Sequence, residues 1–192
     1  MRALYRVSLG NISGDSSMRV LVTCALALTL PTGVFAAGGG DETAPPKPAV
    51  SCESGMVYDK KTKKCVTAKD SRLSPDDLYE TVRRLAYAGK YQDAQLVLAA
   101  MPAQDDRALT YMGFTHRKMG NDAESMAFYT RALKVNPANI LARSYMAQGM
   151  VEQGNIADAM AELRAIRSYG GEGTWAEASL RTAIATGQTF NY

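Results

Sequence analysis

The sequence predicts an all-α fold: three stacked helical hairpins and a C-terminal capping helix, behind a small disulfide-closed hairpin. Three observations carry this. The phrase Gly120-Asn121-Asp122-Ala123-Glu124-Ser125 has counterparts at Gly89–Ala94 and Gly154–Ala159, with a glycine, a Lys or Asn, an acid and a small residue in matching places. Apolar residues keep helical spacing around each glycine. After the third copy, Gly170-Gly171-Glu172-Gly173 breaks the chain and Thr174–Glu177 starts another helix. Such a period sets the architecture before any single helix is assigned.

Aligned on the three glycines, Val82, Gly113 and Ala147 fall seven places before the turn, and Leu85, His116 and Met150 four places before it. Leu98, Tyr129 and Leu163 fall nine places after it, and Met101, Ala132 and Ile166 twelve places after it. Offsets of three, four and seven keep side chains on one helical face. The turn glycine suits the left-handed residue that ends a helix. The small residue five places later lets the second helix approach the first closely.

Met112, Gly113, Gly120, Tyr129, Ala132 and Pro137 resemble the tetratricopeptide repeat in type and spacing, and the resemblance covers roughly Pro75 to Gly173. It implies a right-handed superhelical array with repeats at about 75–105, 106–139 and 140–173 and a cap at 174–187, a domain spanning 74–187. Ser125, His116, Arg143, Met101 and Ile166 depart from the family pattern. The first glycine-to-glycine step, Gly89 to Gly120, is three residues shorter than the next, Gly120 to Gly154. The Ala100–Asp105 corner is therefore expected to be trimmed, with Pro102 ending its helix early.

In chain order, residues 1–17 carry no periodicity and read as an over-long gene start. Residues 18–37 read as a signal peptide: Met18-Arg19, the apolar run Val20–Leu30, then small residues before a cut at Ala36 or Ala37. The run is too short to span a bilayer, which takes about 20 residues, and Cys24 does not make a convincing lipobox. The expected location is outside the cytoplasm, most simply a bacterial periplasm, although a eukaryotic secretory route fits the signal equally well. The chain has 192 residues and a formal charge of +3. From Ala37 onward 19 basic and 18 acidic residues remain, a balance without the footprint of a nucleic-acid binder. Residues 38–51 read as a flexible, proline-bearing linker.

Cys52 and Cys65 close the 52–70 segment. An even pair in an exported chain favours a disulfide, worth roughly 3 kcal/mol for a loop of this size. Two thiols without a nearby His make only half a zinc site. Lys60, Lys61, Lys63 and Lys64 read as a solvated turn, with contact to an anionic cell-wall polymer or lipid as the alternative. Ser74-Pro75-Asp76-Asp77 is a helix start with cap, proline and acids in order. Leu78, Leu85, Leu96 and Leu98 are expected in the first repeat's core, and Thr174-Trp175-Ala176-Glu177 as a capping box opening a helix to about Thr186. The 188–192 segment is uninformative.

A single histidine excludes most Ser-His-acid, Cys-His and His-rich metal sites, and His116 occupies an inward repeat slot. Met112, Met119, Met126, Met146, Met150 and Met160 read as core filler at helical spacing. No paired carboxylates, cofactor loop or nucleophile motif stands out, so neither enzyme activity, cofactor nor metal is expected. The resemblance instead implies a groove on the first helices that grips another protein's peptide segment or helix. Its expected lining is Tyr79, Arg83 and Tyr87, then Arg107, Thr110, Phe114, Arg117 and Lys118, then Leu141, Ser144, Gln148, Val151 and Glu152. If Arg83, Arg107, Arg117 and Lys118 converge on one concave face, they form a positive patch that, beside Tyr79 and Phe114, selects an acidic, aromatic or C-terminal peptide segment. Apolar contacts then supply most of the affinity, and the charges set orientation and speed of encounter. The implied role is a non-catalytic adaptor of the bacterial envelope. The alternative is a cell-wall hydrolase or a regulator of one, touching polymer through the Lys-rich hairpin.

Overall fold

The computed structural model describes residues 50–190. The expected start segment 1–17, the signal peptide 18–37 with Cys24, and the linker up to residue 49 lie outside the described residues. Within them the order is β1 (Met56–Asp59), β2 (Lys64–Thr67), α1 (Pro75–Tyr87), α2 (Tyr91–Leu98), α3 (Asp106–Lys118), α4 (Asp122–Val135), α5 (Ile140–Glu152), α6 (Ile156–Ser168) and α7 (Trp175–Thr186).

The strands pair antiparallel, with Met56 opposite Thr67 and Asp59 opposite Lys64. The Cys52–Cys65 disulfide is present, its Cα atoms 5.8 Å apart. At the hairpin tip, Asp59 accepts from the Thr62 hydroxyl (2.7 Å) and the Lys61 N–H (2.9 Å). These bonds, Thr62 first, hold its carboxyl below the usual carboxylate range. The hairpin is not a separate unit. Val57 is fully buried and shares one core with Leu78, Val82, Ala86, Val97 and Leu98, and Lys60 pairs with Glu80 of α1 at 2.5 Å.

Each copy of the glycine phrase makes the same turn. Gly89, Gly120 and Gly154 have φ of +73°, +81° and +80°, a conformation in which a side chain is strained. Their N–H groups donate to Ala86, Arg117 and Val151, and the next residues' N–H groups reach back to Leu85, His116 and Met150. This paired closure satisfies the orphan carbonyls of α1, α3 and α5. Gly170 and Gly171 repeat it after α6, through Arg167 and Ile166.

The first helix of each hairpin is capped by a side chain and the second is not. Ser74 and Asp77 form a reciprocal capping box on α1. Asp105 accepts from the Arg107 and Ala108 N–H groups of α3, and Asn139 accepts from Ala142 N–H of α5. Lys90, Asn121 and Asn155 make no such bond. At α7 the expected box is only half made. Thr174 Oγ1 accepts from Glu177 N–H, but the Thr174 N–H goes to Gly171 and the Glu177 carboxylate binds Arg167 at 2.6 Å.

Helices α1 and α2, α3 and α4, and α5 and α6 pack as hairpins, while α1, α3, α5 and α7 also pack side by side in that order. Gly113 brings α3 onto α4: a Cβ there would lie 2.6 Å from Tyr129 Cε1. Asn136 and Asn139 both donate to Asp106 Oδ2 at 2.8 Å, tying the α4–α5 corner to the start of α3. The first corner is trimmed as the spacing predicts, α2 ending at Leu98, four residues before Pro102. Leu96 is corrected: it is 56% exposed beside Gly55 of the hairpin. Its helix turns Ala94, Val97 and Leu98 inward instead. Arg143 fits its apolar slot because its guanidinium reaches Glu162 (2.6 Å), the Pro137 carbonyl and the Tyr169 ring (4.9 Å to the centroid).

Candidate peptide-binding face

The side-by-side helices α1, α3, α5 and α7 carry a continuous row of aromatic rings. Tyr79 meets Tyr111 edge-on at 5.6 Å, Tyr111 meets Phe114 at 6.0 Å, and Phe114 meets Tyr145 at 4.8 Å. Tyr145 meets Trp175 at 6.0 Å, and Trp175 meets Phe190 at 6.5 Å. Each such pair adds about 0.5–1.5 kcal/mol beyond burial. Burial also raises the Tyr145 hydroxyl's pKa well above the ordinary value. The row was readable in part: Tyr111 and Tyr145 both stand nine residues before a turn glycine.

The row closes most of the expected groove. Thr110, Phe114, Ser144 and Gln148 are at most 1% exposed, and Tyr79, Leu141 and Val151 are buried. The first helices pack closely enough that positions assigned to a ligand meet the neighbouring helix. Thr110 accepts from Asn139 (3.1 Å), and Ser144 donates to the Ala176 carbonyl of α7 (2.8 Å). Tyr87 is exposed at the end of α1. His116 is half-buried and stacked on Phe128 at 5.2 Å.

The single positive patch is likewise corrected. Arg83 and Arg107 lie over Tyr79, at 6.0 and 4.7 Å from its centroid. Arg117 and Lys118 lie separately against Phe114, at 5.8 and 5.9 Å. Arg107 is compensated by Asp105 (3.1 Å) and Asp76 (2.9 Å). Arg117 is buried, its side chain 2% exposed, and pairs with Glu152 at 2.8 Å. Gly149 makes room for it, since a Cβ there would lie 3.0 Å from Arg117 Cδ. Burial, then the charge of Arg117, lowers the Lys118 ammonium's pKa.

Around Arg117 the structure assembles a polar cluster that receives backbone. Gly187 ends α7 in a left-handed conformation, φ +75°, and the following residues reach α5. The Phe190 N–H donates to Gln148 Oε1 at 2.8 Å, and the Thr189 hydroxyl donates to Glu152 Oε1. Gln148 is oriented by its own amide donating to Ser144 Oγ at 3.2 Å, so its oxygen faces the segment. Burial opposes the charge of Glu152, but the Thr189 hydroxyl and the Arg117 guanidinium outweigh it and lower its pKa. On the adjoining face of Arg117, burial pushes the Tyr129 hydroxyl up to about 12, Arg117 and Ser125 partly offsetting it. Of the expected lining residues, Arg117, Gln148 and Glu152 thus converge, with Ser144 behind them. Trp175 and the 188–190 segment were not among those expected.

Elsewhere, an apolar cavity of about 200 Å³ lined by Leu98, Met101, Pro102, Met112 and Phe128 opens at the trimmed corner. On the hairpin, Lys61, Lys63 and Lys64 are exposed. Among the described residues no group of His, Cys, Asp and Glu is placed to hold a metal ion, and no helix is long and apolar enough to cross a membrane. Comparison with protein-family models, curated proteins and solved structures finds no match to the chain.

Proposed function

We propose that the chain is an exported tetratricopeptide-type repeat protein, a non-catalytic adaptor of the bacterial envelope that holds a peptide segment of another protein. The binding face is the side of α5 flanked by the end of α3 and the start of α7. One observation carries this reading: Gln148, Glu152 and Trp175 hold a piece of chain, Thr189 and Phe190, through one backbone N–H, one hydroxyl and one aromatic ring. The threefold turn, the close Gly113–Tyr129 contact and the side-by-side first helices support the repeat assignment. The Cys52–Cys65 bridge supports export, because such bonds persist in oxidising compartments.

Because Arg107 and Arg117 are paired to carboxylates, charge steers the ligand less than expected, and affinity comes from aromatic contact and from hydrogen bonds to Gln148 and Glu152. The test is a peptide-display selection against the full chain, with Gln148→Ala and Trp175→Ala carried as counter-screens. Selected peptides should bind the wild type and lose at least about tenfold in affinity on either variant, roughly the 1.4 kcal/mol of one lost polar or aromatic contact. Binders indifferent to both substitutions would place the face elsewhere.

A further inference from the structure

Thr189 and Phe190 are half-buried, and two hydrogen bonds and one ring contact hold them. Each contact sets a chemical requirement. Gln148 Oε1, fixed by Ser144, takes a backbone N–H, which excludes proline at the position of Phe190. Glu152 Oε1 already accepts from Arg117 and takes a second donor there, which a hydroxyl supplies and a carboxylate would not. Trp175 presents its ring to an aromatic side chain in edge-on geometry, 78° between planes. Two partly exposed residues are a small anchor, and the left-handed Gly187, two residues before Thr189, is a natural pivot for release.

From this geometry we infer that the α5–α7 subsite recognises a partner segment in which a hydroxyl residue directly precedes an aromatic one. The chain's own 188–190 segment is a tethered occupant that such a partner must displace. This rests on the peptide-binding reading above and names its ligand class. Tethering gives the resident segment an effective concentration of roughly millimolar. A free peptide of the same sequence with a dissociation constant near 0.1 mM would then bind the intact chain about tenfold more weakly than a chain without the segment.

The probe is an acetylated, amidated peptide with the sequence of residues 187–192. Trp175, the only tryptophan, reports binding by its fluorescence. Three proteins are compared: the full chain, a chain ending at Gly187, and the full-length Thr189→Val, Phe190→Ala double variant, which keeps α7 whole should the shortened chain fold poorly. The inference expects the two altered chains to bind the peptide and the full chain to bind about tenfold more weakly. A peptide with Val for Thr and Ala for Phe should bind none of them. Absence of binding to both altered chains overturns the inference, as does equal binding to all three or equal binding of the control peptide. If display-selected peptides still depend on Gln148 while the 187–192 peptide fails, this inference falls alone. If neither binds, the peptide-binding reading falls with it.

Discussion

At the scale of single residues, Gly113 lets α3 lie directly on the ring of Tyr129, which is itself fully buried. Gly113→Ala gains about 1 kcal/mol of helix propensity. It also forces a methyl to 2.6 Å from a fully buried ring, and overpacking of this kind costs roughly 1–3 kcal/mol. The net expectation is a loss of up to about 2 kcal/mol, read as a fall of up to about 8 °C in thermal midpoint; a raised midpoint would show that the hairpin relaxes and propensity wins. Glu152 makes a second prediction. Its pKa is lower in the folded chain, through the Thr189 hydroxyl and Arg117 acting against burial. Its ionised form therefore stabilises the docked segment above the unfolded value of about 4.3, and the contribution is lost as pH falls through the lower folded value. Acid should change Trp175 fluorescence at pH below about 4 while the helical signal persists. Glu152→Gln should abolish the early fluorescence step, and its survival in that variant would assign it to another group.

Among the elements, the turns were legible because their chemistry is local. A glycine at left-handed φ needs only its own backbone to be required, so three copies of one phrase announced three hairpins before any contact was known. The caps at Ser74 and Thr174 were legible for the same reason, and the short α2 followed from Pro102 and the missing residues. The proposed binding face was not. Register places Thr110, Phe114, Ser144 and Gln148 on the first helices' shared side, but it does not say how closely those helices approach. Here they approach until the positions are buried. The 188–190 segment was opaque because its partners, Gln148 and Glu152, lie about 40 residues earlier and share no periodicity with it. The β1–β2 hairpin makes the element-scale prediction. Replacing Cys52 and Cys65 by serine should cost about 3 kcal/mol in urea unfolding, in line with its loop length. The helical signal should stay close to wild type, because the helices keep their glycine turns and α1, α3, α5 and α7 keep their caps. A collapse of helical signal would mean that Val57 and the hairpin hold α1 in place.

Across the whole molecule, apolar packing is divided unequally. One cluster runs from Val57 through the first two hairpins to Tyr145 and Met146, with Phe114 and Tyr129 fully buried in it. A smaller one joins Ala147, Val151, Ala159, Ile166, Leu180 and Ala183 across α5, α6 and α7. Stacked hairpins contact mainly their neighbours, so stability sums locally and the thinner end opens first. The boundary between the clusters crosses α5, the helix that carries Gln148 and Glu152. On the proposed reading a ligand seated there would bridge α5 to α7, and its binding energy should be felt by the smaller cluster rather than by the larger one. Native-state hydrogen exchange gives the check. Amides of α6 and α7 should exchange through an opening about 1–3 kcal/mol below the global value shown by α3 and α4. The Thr189→Val, Phe190→Ala variant should widen that gap, and a bound hydroxyl–aromatic peptide should narrow it while leaving α3 and α4 nearly unchanged. Equal protection throughout the seven helices would mean that the chain unfolds as one unit. Occupancy of the α5 face could then shift no part of it selectively.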